Sequence, residues 1–178
     1  MKKDILMPVL AILLAAAVLF AASAGLSSIR EENARRELEE MMKTILPGSG
    51  AFTEEPYSGE DENIRAAYKA ENGYVVHVVT PGYAGDISML VGVYTDGSIS
   101  GLVVRELRET RGLGGRALTD TEFLSQFLNT RGDAAVGDNV DALTGATVTS
   151  RAIARGVNSA AAFVTGADGS SSATTWGG

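Results

Sequence analysis

Two Asx-Gly dipeptides constrain this chain most. Asn72-Gly73 separates Ala66–Ala70 from Tyr74–Thr80, and Asp96-Gly97 separates Ile87–Thr95 from Ser98–Glu106. The flanking runs are rich in Val, Ile and Tyr. Asn-Gly and Asp-Gly supply the positive φ angles of tight hairpins, so each dipeptide predicts one. Together they predict an antiparallel meander of about four strands. Between the hairpins, Pro81-Gly82 makes a turn and Gly85 lets a backbone pass close to something. His77 lies among valines in one of these strands, with no carboxylate at pairing distance along the sequence. It reads as a half-buried structural histidine.

Helical periodicity frames the rest of the domain. Glu122–Leu128 predicts a short helix with Phe123, Phe127 and Leu124 or Leu128 facing the core. From Val148 onward the small and apolar residues Ala152, Ile153, Gly156, Val157, Ala160, Ala161 and Val164 share one helical face. Thr147 therefore sits at or just before a first helical turn. Two readings of Asp141-Ala142-Leu143-Thr144-Gly145-Ala146-Thr147 stand side by side. It is a capping turn, with Thr147, Thr149 and Ser150 able to share the cap. Or it is a phosphate site, where unpaired N–H groups and the helix dipole meet an anion.

Upstream, Glu109-Thr110-Arg111-Gly112-Leu113-Gly114-Gly115 holds more glycine than a chain reversal needs. Such a loop suits a flat ligand or an outward row of backbone N–H groups, or is simply a surface loop. It lacks the Lys and Ser/Thr of a P-loop.

The inventory of chemistry is short. The chain has no Cys and one His, which removes thiolate chemistry, cysteine-ligated iron–sulfur clusters and any ordinary zinc site. Asp133 and Asp138 do not have EF-hand spacing. No catalytic residue and no metal site is predicted, so any redox work needs an organic cofactor. The formal net charge is −7 with no basic stripe, so nucleic acid is not an expected partner.

At the N-terminus, Ile5–Leu26 carries no charge. As a helix it spans about 33 Å, enough for a bilayer core. Lys2 and Lys3 favour a cytoplasmic N-terminus, which puts the main domain outside the cytoplasm. The competing reading is a signal peptide cleaved near Ala22-Ser23-Ala24. From Ile29 to Ile45 the composition turns to Arg, Glu and Leu, with Leu38, Met41, Met42 and Ile45 as a narrow apolar stripe. It predicts a stalk helix carrying Glu-to-Arg and Glu-to-Lys pairs and ending at Pro47-Gly48. Ala51–Glu62 reads as a loop. The expected division is an N-terminus and anchor at 1–28, a stalk at 29–50, the main domain at 51–165 and a flexible tail at 166–178. The fold class is α+β: an N-terminal transmembrane helix, then a domain with an antiparallel sheet and flanking helices.

The order Asp141, Thr144, Gly145, Ala146, Thr147 resembles the flavinylation motif of the FMN-binding subunits of Rnf and Na⁺-translocating NADH:quinone reductase complexes. Gly82-Tyr83-Ala84-Gly85-Asp86-Ile87 is similar to a second segment of that family. Glu109–Gly114 is similar to its Glu-Thr-Pro-Gly-Leu-Gly loop, with Arg111 in place of Pro. The exchange removes a φ restraint and adds a charge. The short length sides with the G subunit of an Rnf-type complex.

The resemblance implies a domain that binds FMN, with Thr147 carrying the cofactor through a phosphoester. Thr144, Gly145 and Ala146 adjoin it, and Glu109, Thr110, Gly112, Leu113 and Gly114 are cofactor contacts. It implies that a flavin transferase recognises Asp141 during maturation. It further implies single-pass anchoring in the plasma membrane and assembly with other subunits of a complex that couples ferredoxin/NAD electron transfer to Na⁺ or H⁺ movement. Two alternatives remain open: an FMN carrier of another extracytoplasmic electron chain, and a membrane-anchored assembly module without redox chemistry.

Overall fold

The computed structural model describes residues 14–16, 29–107, 115, 117 and 119–166. Residues 29–45 are helical (α1), and Arg36 meets Glu32 at 2.6 Å one turn away, an i,i+4 pair of the expected kind. The chain divides into two compact units, Met1–Glu40 and Met41–Gly178. Residues 14–16 are helical. The rest of the predicted span Ile5–Leu26 lies outside the described residues. Among those described, no helix is long and apolar enough to cross a membrane.

The second unit is built on a five-stranded antiparallel meander in the order β1-β2-β3-β4-β5. The strands are β1 (Thr53–Glu55), β2 (Ile64–Ala70), β3 (Gly73–Pro81), β4 (Asp86–Tyr94) and β5 (Ile99–Leu107). Four of them are the predicted hairpin strands. The fifth, β1, corrects the reading of Ala51–Glu62 as loop: Thr53, Glu54 and Glu55 pair with Lys69, Tyr68 and Ala67. Three polar residues on a sheet edge contribute backbone hydrogen bonds and bury little, so they carry no alternation to read.

The turns also shift by a residue. Ala70 pairs with Gly73, which leaves Glu71 and Asn72 at the hairpin tip and Gly73 as the first residue of β3. A Cβ on Gly73 would collide with the Val93 carbonyl oxygen, so the position needs glycine for space. In the second hairpin Gly97 adopts φ +82°, and the Asp96 carboxylate accepts from the Ser98 N–H at 3.0 Å and hydroxyl at 2.5 Å. The Ser98 bonds hold the Asp96 carboxyl below its ordinary pKa.

Two helices follow: α2 (Thr121–Ser125) and α3 (Thr147–Thr165). Asp120 caps α2 by accepting from the Phe123 N–H at 3.0 Å. Phe123 and Phe127 are buried edge to face at 5.3 Å, as their spacing predicts, while Leu128 is exposed.

The sheet is covered on both faces. On one, α3 buries Ala152, Ile153, Gly156, Val157, Ala160 and Ala161 with Val76, Val78, Met89, Val91 and Val93. On the other lies the last turn of α1, which belongs to this unit from Met41 on. Met42, Ile45 and Leu46 are buried there. Gly92 and Gly101 are cross-strand partners, and a Cβ on either would stand 2.7 Å from the Ile45 carbonyl oxygen. That oxygen accepts from the Ser100 hydroxyl at 2.8 Å. The glycine pair lets the helix end rest directly on the sheet. His77 is half-buried, with Nε2 at 2.9 Å from the Ser88 hydroxyl. Burial, and then the charges of Arg105 and Arg65, push its pKa below the ordinary value.

Candidate functional site

Helix α3 runs antiparallel to β3. The Thr80 hydroxyl donates to the Ala152 carbonyl at 3.1 Å near the helix start, and the Tyr74 ring meets Phe163 at 5.5 Å near its end. Arg155 strengthens the first contact by donating to the Pro81 carbonyl at 2.9 Å. Measured from the Thr80–Ala152 contact, Thr147 lies about 7.5 Å further along at a helical rise. Tyr83 lies up to about 10 Å further in the same direction at a strand rise. The pairing of Ile87 with Leu107 brings the end of β5 to this end of the sheet as well. The Gly-rich segment follows Leu107 directly in sequence. Thus one end of the sheet receives Thr147, the Tyr83 turn and the root of the Gly-rich segment. Glu109, Thr110, Gly112, Leu113 and Gly114 themselves lie outside the described residues.

The turn before α3 separates its side chains into two sets. Leu143 and Ala146 are buried, whereas Asp141, Thr144, Gly145 and Thr147 are exposed. Gly145 has φ +76°, a backbone state that glycine adopts without strain, and this swings the chain into the helix. The helix begins at Thr147, as the periodicity predicts. The capping alternative fares differently: the N-cap is Ala146, and no side chain there accepts from the first turn. Ser150 instead braces the turn, accepting from the Leu143 N–H at 3.0 Å and donating to the Ala146 carbonyl at 3.0 Å. The Thr147 hydroxyl makes no hydrogen bond among the described residues and has no structural task there. The first turn holds no acidic residue. Arg151, one turn on, is exposed, and helical side chains lean toward the N-terminus. Donor amides, the helix dipole and the guanidinium all favour negative charge at this helix start.

Residues outside the motif fix its position. The Gln126 side-chain oxygen accepts from the Asp141 N–H at 2.7 Å. Buried Asn158 holds Ala134 from both sides, accepting from its N–H at 3.0 Å and donating to its carbonyl at 2.9 Å. Sequence reasoning missed both. A polar residue on a helix face carries no signal of the backbone it will meet. Among the described residues, no group of three His, Asp or Glu side chains is gathered to hold a metal.

Residues 82–162 match the FMN-binding domain family, which spans the Tyr83 turn, β4, β5, the Gly-rich segment and the Thr147 motif. A 39% identical stretch of 110 residues is shared with the G subunit of the proton-translocating ferredoxin:NAD(+) oxidoreductase complex of Clostridium ljungdahlii; it covers 55% of this chain and 59% of that protein. The G subunit of the Na(+)-translocating ferredoxin:NAD(+) oxidoreductase complex of Acetobacterium woodii is 32% identical over 58% of this chain and 52% of its own. The chain thus spans between half and three-fifths of the length of these two relatives. It is 35% identical over 147 residues to the G subunit of the ion-translocating oxidoreductase complex of Methanosarcina acetivorans, covering 74% of this chain and 77% of that one. With an FMN-binding domain of α+β fold and a relative matched over most of both lengths, the chain belongs to the family of G subunits of the ion-translocating oxidoreductase complexes.

Proposed function

We propose that this chain is an electron-transfer subunit that carries FMN in phosphoester linkage to the hydroxyl of Thr147. The observation that carries the reading is Thr147 itself: an exposed hydroxyl on the first residue of a helix with no side-chain cap and no structural task. Bound FMN supplies one- and two-electron chemistry, which no side chain of this domain offers. The residues around it bind and orient. The first-turn amides and Arg151 offset the charge of a phosphodiester. Gly145 and Ser150 hold the acceptor threonine at the end of the sheet. Thr144, Gly145 and Ala146 adjoin the linkage, and Glu109, Thr110, Gly112, Leu113 and Gly114 line the cofactor from the Gly-rich segment. Asp141, exposed and held through its backbone by Gln126, is offered to a flavin transferase.

The relatives' names support the larger role: passing electrons within a membrane complex that couples ferredoxin/NAD electron transfer to Na⁺ or H⁺ translocation. In this reading Ile5–Leu26 is a retained single-pass anchor in the plasma membrane, and of the expected stalk at 29–50 the part from Met41 on belongs to the domain. The domain at 51–165 then faces outside the cytoplasm beside other subunits of the complex. Tethering fits that location, because a diffusible cofactor would be lost there. The test is in-gel flavin fluorescence after denaturation, in cells that also make the flavin transferase. The wild-type band should fluoresce and the Thr147→Ala band should be dark. A dark wild-type band, or a fluorescent Thr147→Ala band, overturns the reading.

A further inference from the structure

The sheet face away from α3 is covered only in part. The end of α1 lies over the Gly92–Gly101 pair. Further along the same face the register sets Ala66, His77, Val79, Ser88 and Val103 together, and all five are half-buried. Two β-bulges flank the His77–Ser88 hydrogen bond. In β2 the pairing passes from Ile64 with Val78 to Ala66 with His77, which leaves Arg65 as the extra residue. In β5 it passes from Met89 with Val104 to Ser88 with Glu106, which leaves Arg105 as the extra residue. One bulge thus borders the partner of His77 and the other the partner of Ser88. Bulges re-aim side chains, and here each re-aims an arginine. Both arginines are exposed, and both charges act on His77. Arg105 also acts on Tyr68, three strands away in β2, so its guanidinium leans across the face. In a chain of formal net charge −7, two cations at one His–Ser pair run against the general balance. On the same face β1 brings Glu54, β4 Asp86 and β5 Glu106, which has an interaction of its own. None of these three carboxylates is among the charges that move His77.

We propose that this half of the face is a docking surface for an acidic segment of a partner protein, which presents a carboxylate to Arg65, Arg105 and the Ser88 hydroxyl. Guanidinium groups hold carboxylates through charge-assisted, often bidentate hydrogen bonds. Ser88 adds a donor. When His77 Nε2–H donates to the Ser88 oxygen at 2.9 Å, the Ser88 O–H is left to donate outward. Ala66, Val79 and Val103 supply an apolar surround of the kind found at the centre of a protein interface. A broad sheet face suits a protein surface, whereas small ligands bind in clefts. The surface lies away from α3 and serves whether or not Thr147 carries a cofactor.

The experiment uses the full chain in its native cells, with a diazirine photo-crosslinking residue in place of Val79. Mass spectrometry of the cross-linked peptide should find a protein segment with Asp or Glu within a few residues of the link. Arg65→Glu combined with Arg105→Glu should cut the yield severalfold, and changing that partner carboxylate to Lys should restore it. The pair Arg65→Gln and Arg105→Gln should also cut the yield, at the melting temperature of the parent chain, which separates lost docking from lost folding. An unchanged yield in the charge-reversed pair overturns the proposal. So does a loss that the partner's lysine does not repair, or a link to lipid or to a second copy of this chain. Loss of the link on adding millimolar glutarate would make this a small-anion site and overturn the docking surface as well.

Discussion

The two ends of the α3–β3 pair are finished in opposite ways. Where the helix ends, Phe163 lies edge to face between Tyr57 at 5.7 Å and Tyr74 at 5.5 Å, and Gly166 closes the helix with φ +68°. Where the helix begins, Tyr83 and Val148 are exposed and the N-cap residue is Ala146, which has no side chain to cap with. The same kinds of residue build both ends. At one end aromatic rings pack edge to face and are partly buried; at the other Tyr83 and Val148 are exposed. The first end is finished by side-chain packing, the second by backbone turns and exposed side chains.

Substitutions at the closed end should move stability and leave flavin attachment alone. Phe163→Ala should cost about 2–3 kcal/mol, below the range for a fully buried phenylalanine because the ring is partly exposed. Urea unfolding measures that cost, and gel fluorescence per folded molecule should not change. A parallel loss of loading would erase the distinction between the ends.

Asn158 joins the two regions, because its side chain holds the Ala134 loop that leads to the motif. Asn158→Ala leaves a buried N–H and carbonyl unsatisfied and should cost about 1–3 kcal/mol. Flavinylation of Thr147 should also slow, which a time course of in-gel fluorescence would record. Unfolding without slower flavinylation would show that the loop does not position the motif.

His77 gives a smaller, pH-dependent effect. Its folded pKa lies below the ordinary value near 6.5 because burial opposes the imidazolium. Unfolding then takes up protons, and stability is full above about pH 6.5 and declines as pH falls toward the folded pKa. His77→Gln should flatten the melting temperature between about pH 7 and pH 5. An equally steep decline in the variant would assign the acid response to other groups.

Smallest on stability is Asp141→Ala, within about 0.5 kcal/mol as for most exposed positions. Its effect should fall on flavin loading, which thermal melts and gel fluorescence separate. Normal loading would remove the recognition role of the carboxylate.

What is legible in the sequence depends on where each signal resides. The meander is written in two dipeptides and the alternation beside them, because turn chemistry and pleat are local. The start of α3 is legible from periodicity. Edge strand β1 is not, since Thr53–Glu55 bury too little to leave a pattern. The Gly92–Gly101 pair looks like ordinary strand residues; their purpose depends on Ile45, far away in sequence. In the site, Ser150 reads as a capping candidate and instead braces Leu143 and Ala146. Gln126 and Asn158 carry no signal, because what they bind is backbone brought near only by the fold.

Residue 147 opens a nineteen-residue helix that is packed along eleven positions of its length. Anything bonded there inherits the rigidity of the whole domain. A cofactor at that point cannot swing on a flexible arm; it travels only through its own single bonds or when the domain turns as one body. Electron-transfer distances to neighbouring carriers would then be set by how the domain is docked, and a mutation that alters docking should change transfer rates without touching any residue near the flavin.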